Sequence, residues 1–253
     1  MYSSVIHFLV SLSTLLGFFF GSLSTLAPSY LSSGSSSANN TVEASVQEFD
    51  ESVVNPQIIL MGATPAPGRN WICNGVSVSK NQVLTSRHCT DQLERTTDLV
   101  VVGHEGVTAA EIQNLDNADM SIVTLDAPIN GNNGCTNLFS QSIAVGEELS
   151  LFTFDAQTGA LSRRTLTVSN SQYSAFNPEI GQVLNNLILA SRNDGPPTED
   201  GQSGAPVLAI ESDGRYALAG ILQGISEATG EEVIQPIYTS IDQIHRFTPQ
   251  CLK

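Results

Sequence analysis

The sequence predicts an all-β protein, a sandwich or a barrel, on three observations. Short runs rich in β-branched residues recur from Val53 onward, clusters of Gly, Asn and Pro separate them, and only the tail has helical spacing. Strand-length runs between regular turn signals mark sheets that close on themselves or pack face to face. With 253 residues the chain can form one large β domain or two small ones, with a sizeable core either way.

Taken in order, the strand-like runs are Ile58-Ile59-Leu60, Gly75-Val76-Ser77-Val78, Gln82-Val83-Leu84-Thr85 and Leu99-Val100-Val101-Val102. Ser121-Ile122-Val123-Thr124-Leu125 follows, then residues 161–168, 183–189, 206–210 and 216–223. Asn130-Gly131-Asn132-Asn133-Gly134 and Ser212-Asp213-Gly214 read as turns between runs. At the tail Ser240 is a candidate N-cap, and Ile241, Ile244 and Phe247 share one helical face. No internal repeat of fixed period is present.

The first fifty residues differ. Val5 to Leu26 is an almost unbroken apolar and Ser/Thr run, either the core of a signal peptide or a single membrane anchor. The interspersed serines and the lack of a basic flank favour a cleaved signal over residues 1–27, hence a secreted protein that leaves the membrane after cleavage. The anchored form is the alternative. Residues 28–52, rich first in Ser and Asn and then in acids, bury too little surface to repay ordering and read as a disordered linker or pro-segment. Asn39, in Asn39-Asn40-Thr41, is the candidate glycosylation site.

The formal net charge of −15, from 25 acids against 10 basic residues, lacks the cationic footprint that phosphate neutralisation needs, so nucleic acid is not an expected partner. None of the four cysteines, Cys73, Cys89, Cys135 and Cys251, forms a C-x-x-C pair, which disfavours zinc; no metal or organic cofactor is expected. An even count behind an apolar leader favours two disulfides in an oxidising compartment. Spacing alone leaves three pairings open.

Three local settings carry chemistry. Asp200-Gly201-Gln202-Ser203-Gly204-Ala205-Pro206 is a glycine-bearing turn ahead of an apolar strand; it can present the Ser203 hydroxyl and aim the Gly201 and Ser203 N–H groups together. His88 ends the run Val83-Leu84-Thr85-Ser86-Arg87-His88-Cys89 and is a candidate base, with His104 the only substitute. Asp119 heads Asp119-Met120-Ser121-Ile122-Val123-Thr124-Leu125 and is a candidate for orienting an imidazole. Each alone is weak, since a serine in a turn or an aspartate before a strand is usually structural. The G-x-S-x-G spacing of the α/β-hydrolase elbow is absent.

Together, in the order His, Asp, Ser, the three blocks resemble those of the trypsin/chymotrypsin serine proteases. V-L-T-S-R-H-C is similar to that family's V-L-T-A-A-H-C, D-M-S-I-V-T-L to D-I-A-L-L-K-L, and D-G-Q-S-G-A-P to the G-D-S-G-G-P block, with Ser203 on the nucleophile. The resemblance spans about residues 55–250. It implies two six-stranded antiparallel β-barrels, the first over about 53–134 and the second over about 135–239, then a C-terminal helix over about 240–248. It implies disulfides Cys73–Cys89 and Cys135–Cys251, and catalysis by Ser203, His88 and Asp119 with an oxyanion hole at Gly201 and Ser203. The substrate would be a peptide or protein, with a proteinaceous inhibitor as a further partner. Two other classes stand beside this reading: a catalytically inactive protease-like binding or regulatory protein, and an extracellular β-sandwich binding module.

The chain also departs from the family. Many members switch on when a newly cut N-terminal Ile pairs with an Asp just before the nucleophile. Here that position is the neutral Gln202, no I-V-G-G occurs, and no Lys or Arg precedes Arg69. A pre-formed oxyanion hole, held by hydrogen bonds from the Gln202 amide, is therefore expected. Arg87 beside His88 replaces a small residue and points either to solvent or to substrate. The resemblance implies that Gln223 and Gly224 take the place of the family's substrate wall, with Gln223 bonding Asp119 as the family's serine does, and that Pro197 takes the pocket-floor position. Cleavage after Lys or Arg gains no support from Pro197, although Asp194 or Glu199 could reach the pocket by another route.

Overall fold

The structure, a computed structural model, describes residues 57–63, 70–129, 135–154 and 160–251. The expected leader (1–27), the linker (28–52), Asn39 and the Asn130–Gly134 turn lie outside the described residues. The architecture is all-β, with strands in two antiparallel sheets.

The first sheet holds β1 (Gln57–Ala63), β2 (Asn70–Ser79), β3 (Gln82–Thr85), β4 (Leu99–Val101), β5 (Ala109–Asn114) and β6 (Ser121–Leu125), in spatial order β4-β1-β2-β3-β6-β5. A single antiparallel bridge, Val100 to Thr108, joins its two ends. The second sheet is a closed barrel of β7 (Glu148–Phe154), β8 (Leu161–Asn177), β9 (Gln182–Arg192), β10 (Pro206–Ile210), β11 (Tyr216–Ile225) and β12 (Glu232–Pro236). The helices are α1 (Arg87–Thr90) and α2 (Ile241–Phe247). No helix among the described residues is long and apolar enough to cross a membrane.

Every run named from the sequence lies in a strand, although Val102 falls just beyond β4. β5, β7 and β12 were not anticipated, and β8 extends nine residues past the apolar run that marked it. Its distal part, Ser169 to Asn177, is polar and alternates between half-buried and exposed, so it carries no burial signal in sequence. Pro236 ends β12, and Ile237–Thr239 forms a 3₁₀ turn leading into α2.

Alternation sends successive side chains to opposite faces, so that strands such as β3, β6 and β10 pack on both. Val83, Leu99, Val101, Val123 and Leu125 fill the first sheet, and Leu149, Leu151, Leu166, Ile188, Val207 and Ile234 fill the second barrel. A third cluster lies between them, where Val76, Leu84, Met120 and Ile122 meet Phe152, Leu208, Leu218 and Ile221, closed by Ile237 and Ile244 of the tail. This seam positions the site, because the residues that matter are split between its two sides. Both disulfides form with the expected pairing, Cys73–Cys89 and Cys135–Cys251.

Candidate active site

Antiparallel pairing of β3 with β6 sets Thr85 opposite Ser121 and Leu84 opposite Ile122. His88 follows Thr85 and Asp119 precedes Ser121, so the two leave the same end of the same ladder. α1 then turns the imidazole inward, and the Cys73–Cys89 disulfide ties that short helix back to β2. Asp119 is fully buried and His88 nearly so.

The carboxylate is held on both oxygens. Oδ1 accepts from the His88 backbone N–H at 2.9 Å, and Oδ2 lies 2.6 Å from His88 Nδ1. Oδ2 also accepts from Asn177 Nδ2 at 2.8 Å, and the Asp119 backbone carbonyl accepts from Gln223 Nε2 at 3.0 Å. The anticipated contact of Gln223 with Asp119 therefore exists, but to the main chain. Burial disfavours a charged His88 ring; the hydrogen bond and charge of Asp119, joined by the charges of Glu179 and Asp91, outweigh it and raise the pKa above 6.5.

Ser203 comes from the other side of the seam. Its turn bends through left-handed glycines, Gly201 at φ +90° and Gly204 at φ +82°. Gly204 packs where no side chain fits: a Cβ would overlap the Asn74 carbonyl oxygen and stand 2.5 Å from Thr85 Oγ1. The turn is pinned to the first sheet by Asn74, whose N–H donates to the Ser203 carbonyl and whose Nδ2 donates to the Gly201 carbonyl, each at 2.8 Å. Within the barrel, Gln202 Oε1 accepts from Arg164 Nη2 at 2.8 Å and from the Glu199 N–H at 3.3 Å. The anchoring of Gln202 thus runs through its carbonyl oxygen and a buried guanidinium, which corrects the expectation that its amide would donate. Arg164 is only 2% exposed and also donates to Thr153 and Thr198.

His88, Ser203, Gly201, Gln223 and Gly224 line one cleft of about 400 Å³, with Glu179, Glu199 and Asp200 also on its wall. Ser203 Oγ donates to the Gln223 carbonyl at 3.3 Å. Pro197 stands outside this lining, exposed, while its neighbour Thr198 lines the cleft in its place, tethered by Arg164. Asp194 accepts from the Thr165 N–H of β8 and stands outside the cleft lining. Arg87 is clamped to Asp91 at 2.7 Å, away from the cleft lining. His104 sits in the turn after β4, outside it as well. Among the described residues, the one histidine–cysteine–acid group compact enough for a metal is Cys73, His88 and Cys89, and its two sulfurs are bonded to each other.

Four residues at this site escaped the sequence reading: Asn74, Arg164, Asn177 and Glu179. Asn74 follows Cys73 directly, and Arg164 follows Arg163 inside a strand-like run, where nothing in the sequence tells the buried arginine from its neighbour. Asn177 and Glu179 belong to a turn whose destination depends on how the preceding strand bends.

A family model described as Trypsin matches residues 59–247. The chain is similar in structure to kallikrein-related peptidase 10, at 20% identity over 77% of this chain and 95% of that one, TM-score 0.56. It is also similar to the scabies mite inactivated protease paralogue S-I1, at 17% identity over 77% and 94%, TM-score 0.58. A protease of M. tuberculosis solved in its active form shares 11% identity over 78% and 82%, TM-score 0.58. At these identities the likeness concerns the fold. No curated relative matches the chain in sequence.

Proposed function

The chain belongs to the trypsin family, and from that premise we propose that it is a secreted serine endopeptidase working through Ser203, His88 and Asp119. The observation that carries this reading is the meeting, in one cleft, of a serine at a tight turn and an imidazole fixed by a buried carboxylate. Ser203 Oγ turns from the Gln223 carbonyl to attack a peptide carbonyl as His88 Nε2 takes its proton. Asp119 keeps Nδ1 protonated and supports the imidazolium that results. The N–H groups of Gly201 and Ser203 receive the negative oxygen of the tetrahedral intermediate. His88 then protonates the leaving amine, and water repeats the sequence on the acyl-enzyme.

The internal tether from Arg164 to Gln202 supports a turn that is shaped without a newly cut N-terminus. Two disulfides support an oxidising destination and hence secretion. A protein inhibitor that fills the cleft in extended form would be the natural partner besides substrate. A second reading, a protease-like binding or regulatory protein without turnover, is favoured by one contact: Ser203 Oγ donates to Gln223 instead of His88. Inactivated paralogues of the same fold exist among the similar structures.

Digestion of a peptide library by the purified protein tests the choice and reads side-chain preference together. Ser203→Ala is expected to cut turnover by on the order of 10⁴ or more. Hydrolysis retained in a pure Ser203→Ala preparation would remove the nucleophile assignment.

A further inference from the structure

The β8–β9 hairpin is longer than a barrel wall needs. It runs to Asn177 paired with Gln182 and turns through Pro178, Glu179, Ile180 and Gly181. Its register breaks between Val168 and Asn170, between Asn170 and Tyr173, and between Tyr173 and Ala175. Such bulges bend and twist a strand beyond its ordinary coil. The bent hairpin carries its tip across the seam to the first-sheet side of the cleft. There Asn177 Nδ2 donates to Asp119 Oδ2, and Glu179 Oε2 stands 3.5 Å from His88 Nδ1.

A carboxylate with one oxygen on a backbone N–H and the other on an imidazole can still rock about its Cβ–Cγ bond. A second donor on Oδ2, from an independent element, fixes the plane. We propose that Asn177 is a positioning residue: it holds the Asp119 carboxylate in the rotation that receives the His88 Nδ1–H. The assignment rests on the protease reading for its purpose, but its geometry is separate. Phe176 and Val183, paired across the same hairpin and both more than 60% exposed, offer an internal control that leaves the relay untouched.

The groups that face the His88 ring are Asp119 from the head of β6, Glu179 from the hairpin turn and Asp91 from the end of α1. Glu199 and Asp200 lie on the same cleft wall. None of these is altered in Asn177→Ala. A proton on Nδ1, 2.6 Å from Asp119 Oδ2, is expected to give a low-field resonance in NMR spectra, which can be followed through a pH titration without any turnover. In Asn177→Ala this resonance is expected to move upfield and broaden, and His88 to titrate at lower pH than in the wild type. The kcat is expected to fall about 10-fold, the rate change that loss of one hydrogen bond to a charged group produces, with KM unchanged. Phe176→Ala should match the wild type in all of these. An unchanged resonance and titration in Asn177→Ala would overturn the proposal, as would a shift to higher pH, which would make Asn177 a competitor for Oδ2. Equal losses in Phe176→Ala would overturn it too, by assigning the effect to the hairpin as a whole. A wild-type protein with no turnover would sink the protease reading, and the resonance would still decide this one.

Discussion

Gly204 is the position where the backbone itself makes the site. Its left-handed φ and the overlap of any Cβ with Asn74 oppose every other residue. Gly204→Ala is expected to lower the unfolding free energy by more than about 3 kcal/mol, measured by denaturant titration; a variant with wild-type stability would show that the turn packs differently. His88 gives a second prediction at this scale. On the proposed mechanism its raised pKa puts the acid limb of kcat/KM above 6.5, because that mechanism needs the neutral ring. Glu179→Gln removes one negative charge near that ring and should move the limb to lower pH; a limb that stays put would deny Glu179 any influence. The same raised value adds stability below the ordinary histidine pKa and withdraws it as pH climbs through the folded one. His88, Asp119 and Ser203 stand out in the sequence because each sits in a local pattern, and the fold brings His88 and Ser203 to one cleft with Asp119 behind the imidazole. Asn74 and Asn177 do not stand out, because an asparagine in a strand or turn signals nothing until its partner across the seam is known.

Elements set how the site is supported. Arg164 on β8 links Gln202 of the Ser203 turn to Thr153 on β7 and Thr198 before the turn, while Glu232 on β12 lies 4.0 Å away and pairs with Arg192 at 2.8 Å. Removing a buried cation strands the groups that it served. Glu232 keeps Arg192, so Arg164→Met should lose stability by about 1–3 kcal/mol, the cost of stranding buried neutral acceptors, and, on the proposed mechanism, lose kcat by about 10–100-fold as the oxyanion donors drift. Wild-type kcat in the folded variant would show that the turn holds itself. Strands dense in β-branched and apolar residues, such as Ser121–Leu125, which is buried on both faces, were readable from composition. β5, with only its first residue fully buried, and the far half of β8 were not, since exposed strands lack the contrast that periodicity detects. α1 is a single turn, too short to leave a helical pattern, although it carries His88.

At the scale of the whole molecule, the fold exists to bring two halves of a chain to one seam. The Cys135–Cys251 bridge spans 116 residues and ties the tail, with α2 against the seam, to the segment between the sheets. Chain-entropy arguments give roughly 2–5 kcal/mol for such a closure, so Cys135→Ser with Cys251→Ser should cost that much in a denaturant titration, and a loss below about 1 kcal/mol would show that packing alone fixes the tail. Two barrels and both disulfide pairings were legible only through resemblance, because strand count and cysteine spacing each allow several arrangements. The bend of β8 arises from bulges in a polar segment and had no sequence signature. What remains most exposed to experiment is whether Ser203 is an activated nucleophile. Mass spectrometry after brief treatment with a fluorophosphonate probe reads this directly. One adduct on the peptide containing Ser203, formed quickly by the wild type and lost in His88→Ala, is the expected result. No adduct on Ser203 under conditions that label an active serine protease would contradict it.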